Sequence, residues 1–222
     1  MKLKTFLRTG LPICLGVTAL AGCTTADPKV YAGLASAPHL KSDTSDESGR
    51  IPYRYKRDVD FRKYDKVIID PVTIYRGADH QFVKLSEDDK TDLADYMQTK
   101  FQQALQTRFS RVTSPIPGTL RIHLTLTGAK ATTALLGPAS HLDLGGGAYN
   151  TVQSVRGREG SMTGSVIYAV DIYDSMTNSL LAAYVTKQFP NAMNVGATFG
   201  ALKAAHVAID KGADALMDEL CS

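Results

Sequence analysis

The order of hydrophobic and polar positions predicts a chain of alternating strands and helices. Residues 67–69 (Val-Ile-Ile) form a β-branched run typical of a strand buried on both faces. Between residues 120 and 126, Leu and Ile alternate with Arg, His and Thr, which indicates a half-buried strand. Residues 164–189 predict two long strands joined by a turn at Asp174–Asn178.

Two amphipathic segments predict helices. Ser86 is suited to cap the first helix, and Asp89 completes a capping box with Asp in place of the usual Glu. Apolar residues then recur on one face of this helix, at Leu93, Met97, Phe101, Ala104, Leu105 and Phe109. The second helix covers residues 197–221, has an apolar stripe from Phe199 to Leu220 padded with small Ala residues, and is weakened locally by Gly212.

The predicted elements follow the order strand, helix, strand, long connection, hairpin, helix. This order predicts a single α/β (α+β) domain, with two main helices on one face of a mixed four- to five-stranded sheet. The long connection covers residues 134–160 and contains the run Gly145–Gly147.

The first residues have the layout of a secretory signal. Lys2, Lys4 and Arg8 are followed by an uncharged stretch from Gly10 to Gly22. That stretch is shorter than the roughly 20 residues that a membrane-spanning helix needs. A cleaved signal is therefore favoured over a permanent transmembrane helix.

The end of the signal, Leu20-Ala21-Gly22-Cys23, resembles a bacterial lipobox. The resemblance implies cleavage before Cys23 and fatty acylation of its thiol and its new amino group, which would anchor the protein to a membrane. The alternative is an ordinary signal peptide with a chance Cys near its end. Thr24 and Thr25 follow in place of the Asp typical of inner-membrane retention, so we expect the outer membrane, facing the periplasm, with the inner membrane as the alternative.

These features divide the chain into three predicted regions. Residues 1–22 are the signal peptide, residues 23–60 a lipidated start and flexible tether, and residues 61–222 the α/β domain. The tether prediction rests on the Ser, Asp, Lys and Pro content of residues 24–60 and on their lack of apolar periodicity. Near the end of this region, Tyr53, Tyr55 and Phe61 are candidates to dock on the domain.

Charge and cysteine content narrow the functional classes. Without Lys2, Lys4 and Arg8 the chain has 22 basic and 22 acidic residues, so its basic pI gives no support to nucleic-acid binding. Once the signal has been removed and Cys23 acylated, Cys221 remains as a lone thiol. It is either an unremarkable solvent-facing or packed thiol or a residue that pairs between chains.

No catalytic set or metal-ligand pattern is evident, and no cofactor is expected. The histidines are not spaced as metal ligands, and His123 falls on the polar side of its predicted strand, as an exposed strand histidine does. The Gly-x-Ser-x-Gly elbow of hydrolases is missing. Gly145–Gly147 lacks the helix start that a phosphate loop requires.

The connection from Ala134 to Tyr149 is the candidate partner or ligand loop, because it is more apolar than a solvated loop requires. Its candidate residues are Leu135, Leu136, His141, Leu142, Asp143, Leu144 and Tyr149. The alternative is that the Leu side chains pack into the domain core.

Four segments together resemble a known family: "YDKVIIDPV", "LSEDDKTDLADYMQTKFQQAL", "LTLTGAKATT" and "MTGSVIYAVDIYDSMTNSLLAA". They are similar to bacterial lipoproteins of domain of unknown function 3313, over residues 50–220. That resemblance brings no catalytic residues with it. The element order also resembles the TolB amino-terminal domain and related periplasmic domains, which implies an assembly, scaffolding or activator role by analogy of fold only.

The leading hypothesis is a non-enzymatic lipoprotein that binds an envelope protein, or itself, through its sheet edge and the 134–149 loop. The alternative is a periplasmic binder of a small apolar or lipid ligand, held in a cleft between sheet and loop. A third class is a hydrolase of envelope polymers, which would need His141 and Asp143 close to another acid.

Overall fold

The computed structural model describes residues 26–46, 48–132, 159, 164–191, 194 and 200–221. In these residues a nine-stranded mixed sheet carries two α-helices. The strands are β1 (Lys41–Ser42), β2 (Tyr53–Lys56), β3 (Lys66–Ile69), β4 (Thr73–Ile74), β5 (Gln81–Val83), β6 (Ser110–Arg111), β7 (Thr119–Lys130), β8 (Ser165–Asp174) and β9 (Leu180–Gln188). The helices are α1 (Glu87–Leu105) and α2 (Lys203–Cys221), and a short 3-10 turn covers Phe61–Lys63.

The predicted fold class is confirmed, but the sheet is wider than the four or five strands expected. Its order is β1-β2-β9-β8-β7-β3-β6, and β4 and β5 continue the line of β3 along β7. The long strands β7, β8 and β9 pair antiparallel, whereas β3, β4 and β5 run parallel to β7. Most of the additional strands have two to four residues, too few to show a period in the sequence.

Both helices lie on one face of the sheet, hereafter the helix face. The predicted capping box starts α1, because Ser86 Oγ accepts a hydrogen bond from Asp89 N at 3.0 Å and Asp89 Oδ2 accepts one from Ser86 N at 2.9 Å. Side chains of both helices and of β7 and β8 form one apolar core. Its fully buried members include Leu93, Met97, Phe101, Leu120, Ile122, Leu124, Leu126 and Ile172.

Gly212 lies where α2 crosses the buried ring of Tyr168. A Cβ built at Gly212 would overlap Tyr168 Oη, so the glycine lets the tyrosine fit beneath the helix. The residue predicted to weaken α2 is therefore required for close packing of this helix on the sheet.

The structure corrects the predicted division between tether and domain. Over residues 28–60, the segment interpreted as a flexible tether is part of the domain, because β1 and β2 extend the sheet beyond β9. Tyr31 is fully buried against the sheet face opposite the helices, hereafter the outer face. Burial of such apolar surface holds the segment in place despite its polar composition.

Candidate functional site

The outer face is partly covered by residues 28–40, hereafter the amino-terminal strap. Two strap side chains, Tyr31 and Leu34, pack into a small apolar cluster. The sheet side of that cluster consists of Tyr75, Ile167, Ala169 and Val185. The cluster is separate from the core under the helices, so the sheet is packed independently on its two faces.

Two adjacent backbone amides of the strap are held by a tyrosine–carboxylate pair. Ala32 N donates to Asp79 Oδ2 at 3.2 Å, and Gly33 N donates to Tyr75 Oη at 3.0 Å. Tyr75 Oη in turn donates to Asp79 Oδ1 at 2.7 Å, which lowers the pKa of the Asp79 carboxyl. A Cβ at Gly33 would lie 2.9 Å from Tyr75 Cε2, so only glycine fits beside the ring at this point.

The start of the strap lies at one end of the sheet, hereafter the anchor end. There Lys187 Nζ donates to Ala26 O at 3.3 Å, and Gln81 Nε2 donates to Asp27 O at 2.9 Å. The end of β7 and the start of β8 meet at the same place, where Lys130 pairs with Ser165. Cys23, three residues before Ala26, lies outside the described residues.

The candidate loop residues Leu135, Leu136, His141, Leu142, Asp143, Leu144 and Tyr149 also lie outside the described residues. The structure does describe the two flanks of their segment. Thr132 N donates to Ala201 O at 2.8 Å, and Gly164 lies immediately before β8. The described residues that flank the segment, Thr132 and Gly164, thus lie at the anchor end, as do Ala26 and Asp27.

A row of polar and aromatic side chains crosses the outer face beside the strap. The polar row consists of Asp70, Arg121, His123, Asp171 and Tyr173. Asp70 accepts two hydrogen bonds from Arg121, at 2.8 Å from Nε and 3.0 Å from Nη2, and its Oδ2 contacts His123 Nε2. The rings of His123 and Tyr173 lie 5.0 Å apart.

Asp171 is the most buried member of the polar row. Its residue is 6 % exposed, and its neighbours across the sheet are His123 on β7 and Ala183 on β9. Burial raises the pKa of its carboxyl, and this effect is opposed by the Ser36 hydroxyl of the strap, by His123 and by Tyr173. The strap therefore covers an ionisable group as well as apolar surface.

Sequence reasoning placed His123 on a polar strand face but missed its partners. The His123 side chain is 40 % exposed, which agrees with the predicted position, yet it lies between Asp70 and Asp171. The available signal was the alternation Arg121-x-His123 on one strand and Asp171-x-Tyr173 on another. Only the pairing of β7 with β8 shows that these positions share a face.

A groove lies between α1 and the edge of the sheet at β3, hereafter the edge groove. It encloses about 400 Å³ and is lined by Ile69, Pro71, Val72, Ala94, Asp95, Gln98, Gln102 and Arg111. Within it, Val72 N donates to Gln98 Oε1 at 2.8 Å. Apolar residues form part of its wall and polar side chains of α1 form its rim.

The edge of β3 is only half covered along this groove. Its outer neighbour β6 pairs with Lys66 and Val67 alone. Backbone groups of successive strand residues point to opposite sides, and Asp70 N donates to Ile122 O of β7 at 3.1 Å. The backbone N–H and C=O of Ile69 therefore point away from β7, to the side that β6 does not cover at this position.

Within the described ranges, no three His, Cys, Asp or Glu side chains are grouped as metal ligands. In the same ranges, neither helix has the length and apolar character needed to cross a bilayer.

The matches among solved structures include two at very low identity. The PelC dodecamer from Paraburkholderia phytofirmans matches with 8 % identity and a TM-score of 0.38, over 74 % of this chain and 94 % of that chain. A point variant of the same dodecamer matches with 9 % identity and a TM-score of 0.37, over 70 % and 88 %.

No curated protein sequence matches the chain. A family model described as "Protein of unknown function (DUF3313)" matches residues 30–216, which include β1 to β9 and most of α2. The matched region starts inside the strap, in agreement with a domain that includes this segment. The chain belongs to the DUF3313 family.

Proposed function

We propose that this protein is an envelope lipoprotein, anchored by lipid on Cys23, whose domain is a non-enzymatic module that binds an envelope protein. The anchoring part is supported by the lipobox-like Leu20-Ala21-Gly22-Cys23 and the charge pattern before it. The outer membrane, facing the periplasm, is the proposed location.

The observation that carries the binding proposal is the half-covered edge of β3. An extended partner segment that lies along Ile69 would supply the backbone hydrogen bonds that β6 does not. Its side chains would enter the edge groove, against Val72 and Ala94. Gln98, Gln102 and Arg111 would form polar contacts at the rim. A second copy of the chain is included among the proposed partners.

The placement of the anchor end supports a partner close to the membrane. From Cys23 to Tyr31 the chain can span at most about 28 Å. The described residues that flank the apolar 134–149 segment, Thr132 and Gly164, lie at this same end. We therefore propose that this segment contributes to binding next to the lipid surface.

The edge groove is tested by Gln102→Arg, with Gln103→Arg as the matched control. Gln102 lines the groove, whereas its neighbour Gln103 is exposed outside it. We expect Gln102→Arg to abolish a protein crosslink that is formed in intact cells and Gln103→Arg to leave it unchanged. Equal crosslinking in both variants would contradict binding at this groove.

The anchor is tested separately by Cys23→Ser. We expect the variant to leave the membrane fraction while retaining the folded domain, as measured by cell fractionation and circular dichroism. Thr24→Asp should move the protein from outer to inner membranes on a density gradient. Full membrane retention of the Cys23→Ser protein would refute the lipid anchor but not the groove.

A small apolar or lipid ligand is the second proposal, and the described residues give it less support. The core under the helices is filled by buried side chains. Phe101, Leu124 and Ile172, for example, are each at most 1 % exposed. An envelope hydrolase, the third class, depended on His141 and Asp143, outside the described residues.

A further inference from the structure

The contact between the strap and the sheet contains buried polar atoms as well as apolar side chains. Ser36 is 1 % exposed and lies over Asp171, which is 6 % exposed. Among the described residues, neither Ser36 Oγ nor Asp171 Oδ1 has a hydrogen-bond partner of good geometry. A buried polar group that is poorly paired makes docking of the segment less favourable.

We propose that the amino-terminal strap is a pH-sensitive latch, which releases from the outer face when the carboxyl of Asp171 ionises. Ionisation places a charge beneath Ser36, where docking withholds it from water. Release of the strap gives that charge access to solvent. β1 and β2 remain in the sheet, because β1 pairs with β2 and β2 pairs with β9, and neither pairing involves Asp171.

The sign of the pH dependence follows from the raised pKa of Asp171. Because the docked carboxyl binds its proton more tightly than a free one, its contribution to docking is complete below the ordinary value of 3.8. The contribution is lost as the pH rises through the raised pKa. The latch is thus closed in acid and loosens as the pH rises through the raised pKa of Asp171.

The groups that face Asp171 are His123 from β7, Tyr173 from its own strand and Ser36 from the strap. Ala183, its neighbour on β9, carries no charge. The pKa of Tyr173 is raised to about 12, chiefly by burial, so its ring remains neutral at physiological pH. His123 is in turn in contact with Asp70, which pairs with Arg121.

Asp79 has the opposite effect, in a lower pH range. Its pKa is held below 3.8, first by the hydrogen bond from Tyr75 and also by the strap amide of Ala32. Its contribution to docking is present above 3.8 and is lost as the pH falls through the docked pKa. Strap docking should therefore be strongest near pH 3.8, where neither contribution has yet been lost.

Release would change the reach of the domain, a consequence that rests on the proposed lipid at Cys23. With the strap docked, the link from Cys23 to Tyr31 spans at most about 28 Å. With the strap free, the link extends to Lys41 at the start of β1 and spans at most about 60 Å. The latch itself does not depend on the lipid.

Hydrogen–deuterium exchange of the full chain in detergent tests the latch between pH 4.5 and pH 8, after correction for intrinsic rates. We expect protection of strap amides such as Gly33 and Leu34 to fall about tenfold per unit of pKa difference as Asp171 ionises. Peptides of α1 and β8 should keep their protection. Asp171→Asn, which cannot ionise, should keep the strap protected throughout.

A second variant, Ser36→Ala, tests the latch even if the Asp171→Asn protein does not fold. The Ser36 hydroxyl lowers the pKa of docked Asp171, so Ser36→Ala widens the difference between the docked and free pKa and should enlarge the loss of strap protection as the pH rises. A pH-independent strap in the parent protein, or an unchanged loss of protection in Ser36→Ala, would overturn the latch. The same exchange pattern is expected in Cys23→Ser, so failure of the lipid proposal would be detected separately, by fractionation.

Discussion

The two faces of the sheet are covered by different means. On the helix face, α1 and α2 bury a continuous apolar core whose largest side chains are fully enclosed. On the outer face, a strap of irregular backbone covers a smaller apolar cluster, and the polar row remains partly open beside it. The difference indicates that the helix face stabilises the fold. The outer face contains the ionisable groups through which we propose that pH changes the docking of the strap.

The comparison can be tested with one substitution made on each face. Leu93 of α1 is fully buried and Leu34 of the strap is 7 % exposed. We expect Leu93→Ala to reduce the free energy of unfolding by about 3–4 kcal/mol, as for other enclosed core positions. Leu34→Ala should cost about 1–2 kcal/mol, because the thin strap can collapse toward the vacated space. Denaturant unfolding measures both, and equal losses would remove the distinction between the faces.

The close approach of α2 to the sheet predicts the next largest effect. Gly212→Ala places a methyl group against Tyr168 Oη and should destabilise the domain by about 2–3 kcal/mol, although alanine is the better helix former. Asp214→Ala, at an exposed position on the same helix, is the control and should be nearly neutral. A more stable Gly212→Ala protein would show that α2 lies farther from the sheet.

Removal of the Tyr75 hydroxyl tests how much its hydrogen bonds stabilise the docked strap. Tyr75→Phe deletes the acceptor of Gly33 N and the donor to Asp79 while keeping the ring in the outer-face cluster. We expect a loss of about 1 kcal/mol, confined to the strap. Amide hydrogens of residues 32–34 should exchange faster than in the parent protein, whereas the exchange rates in α1 should not change. A uniform change across the domain would argue against a strap that opens by itself.

The smallest expected effect concerns the start of α1 on the helix face. Ser86→Ala removes the cap of the Asp89 amide and should cost about 1 kcal/mol or less. Ser86→Asp, which restores an acceptor, should recover most of the loss. Thermal unfolding of the three proteins provides the measurement, and identical midpoints would mean that the helix packing compensates for the missing cap.

Where an element has its own period, the sequence was sufficient to predict it. The capping box of α1, the alternation along β7 and the turn after β8 are all predicted by the sequence. Asp174 indeed closes that turn, since its Oδ1 accepts hydrogen bonds from Met176 N at 3.0 Å and Thr177 N at 2.9 Å. Local hydrogen bonds and a repeating apolar face are determined by residues that are close together in the sequence, so they can be predicted from it.

The elements that the sequence did not reveal depend on distant partners. The two-residue strands β1, β4 and β6 exist because a longer strand is already in place to pair with them. Tyr31 is buried by residues of β8 and β9, which lie more than 130 positions away. The Ser- and Asp-rich composition of residues 24–60 predicts a flexible tether, because a single buried tyrosine produces no apolar periodicity.

The candidate site divides in the same way. The lipobox-like Cys23 and the apolar 134–149 segment were identified from residue types and their local order, and both remain predictions. The polar row became visible only when β7 paired with β8 and placed His123 beside Asp171. The edge groove likewise required β6 to end after two residues and α1 to lie alongside Ile69.

The sequence by itself thus determined the class of the fold, its two helices, its long strands and the expected route to the membrane, because these depend on periodicity and on short motifs. Tertiary structure alone decided the width of the sheet, the docking of the strap, the burial of Asp171 and the open edge of β3. These depend on which distant segments meet, and burial and electrostatic effects arise only when they do.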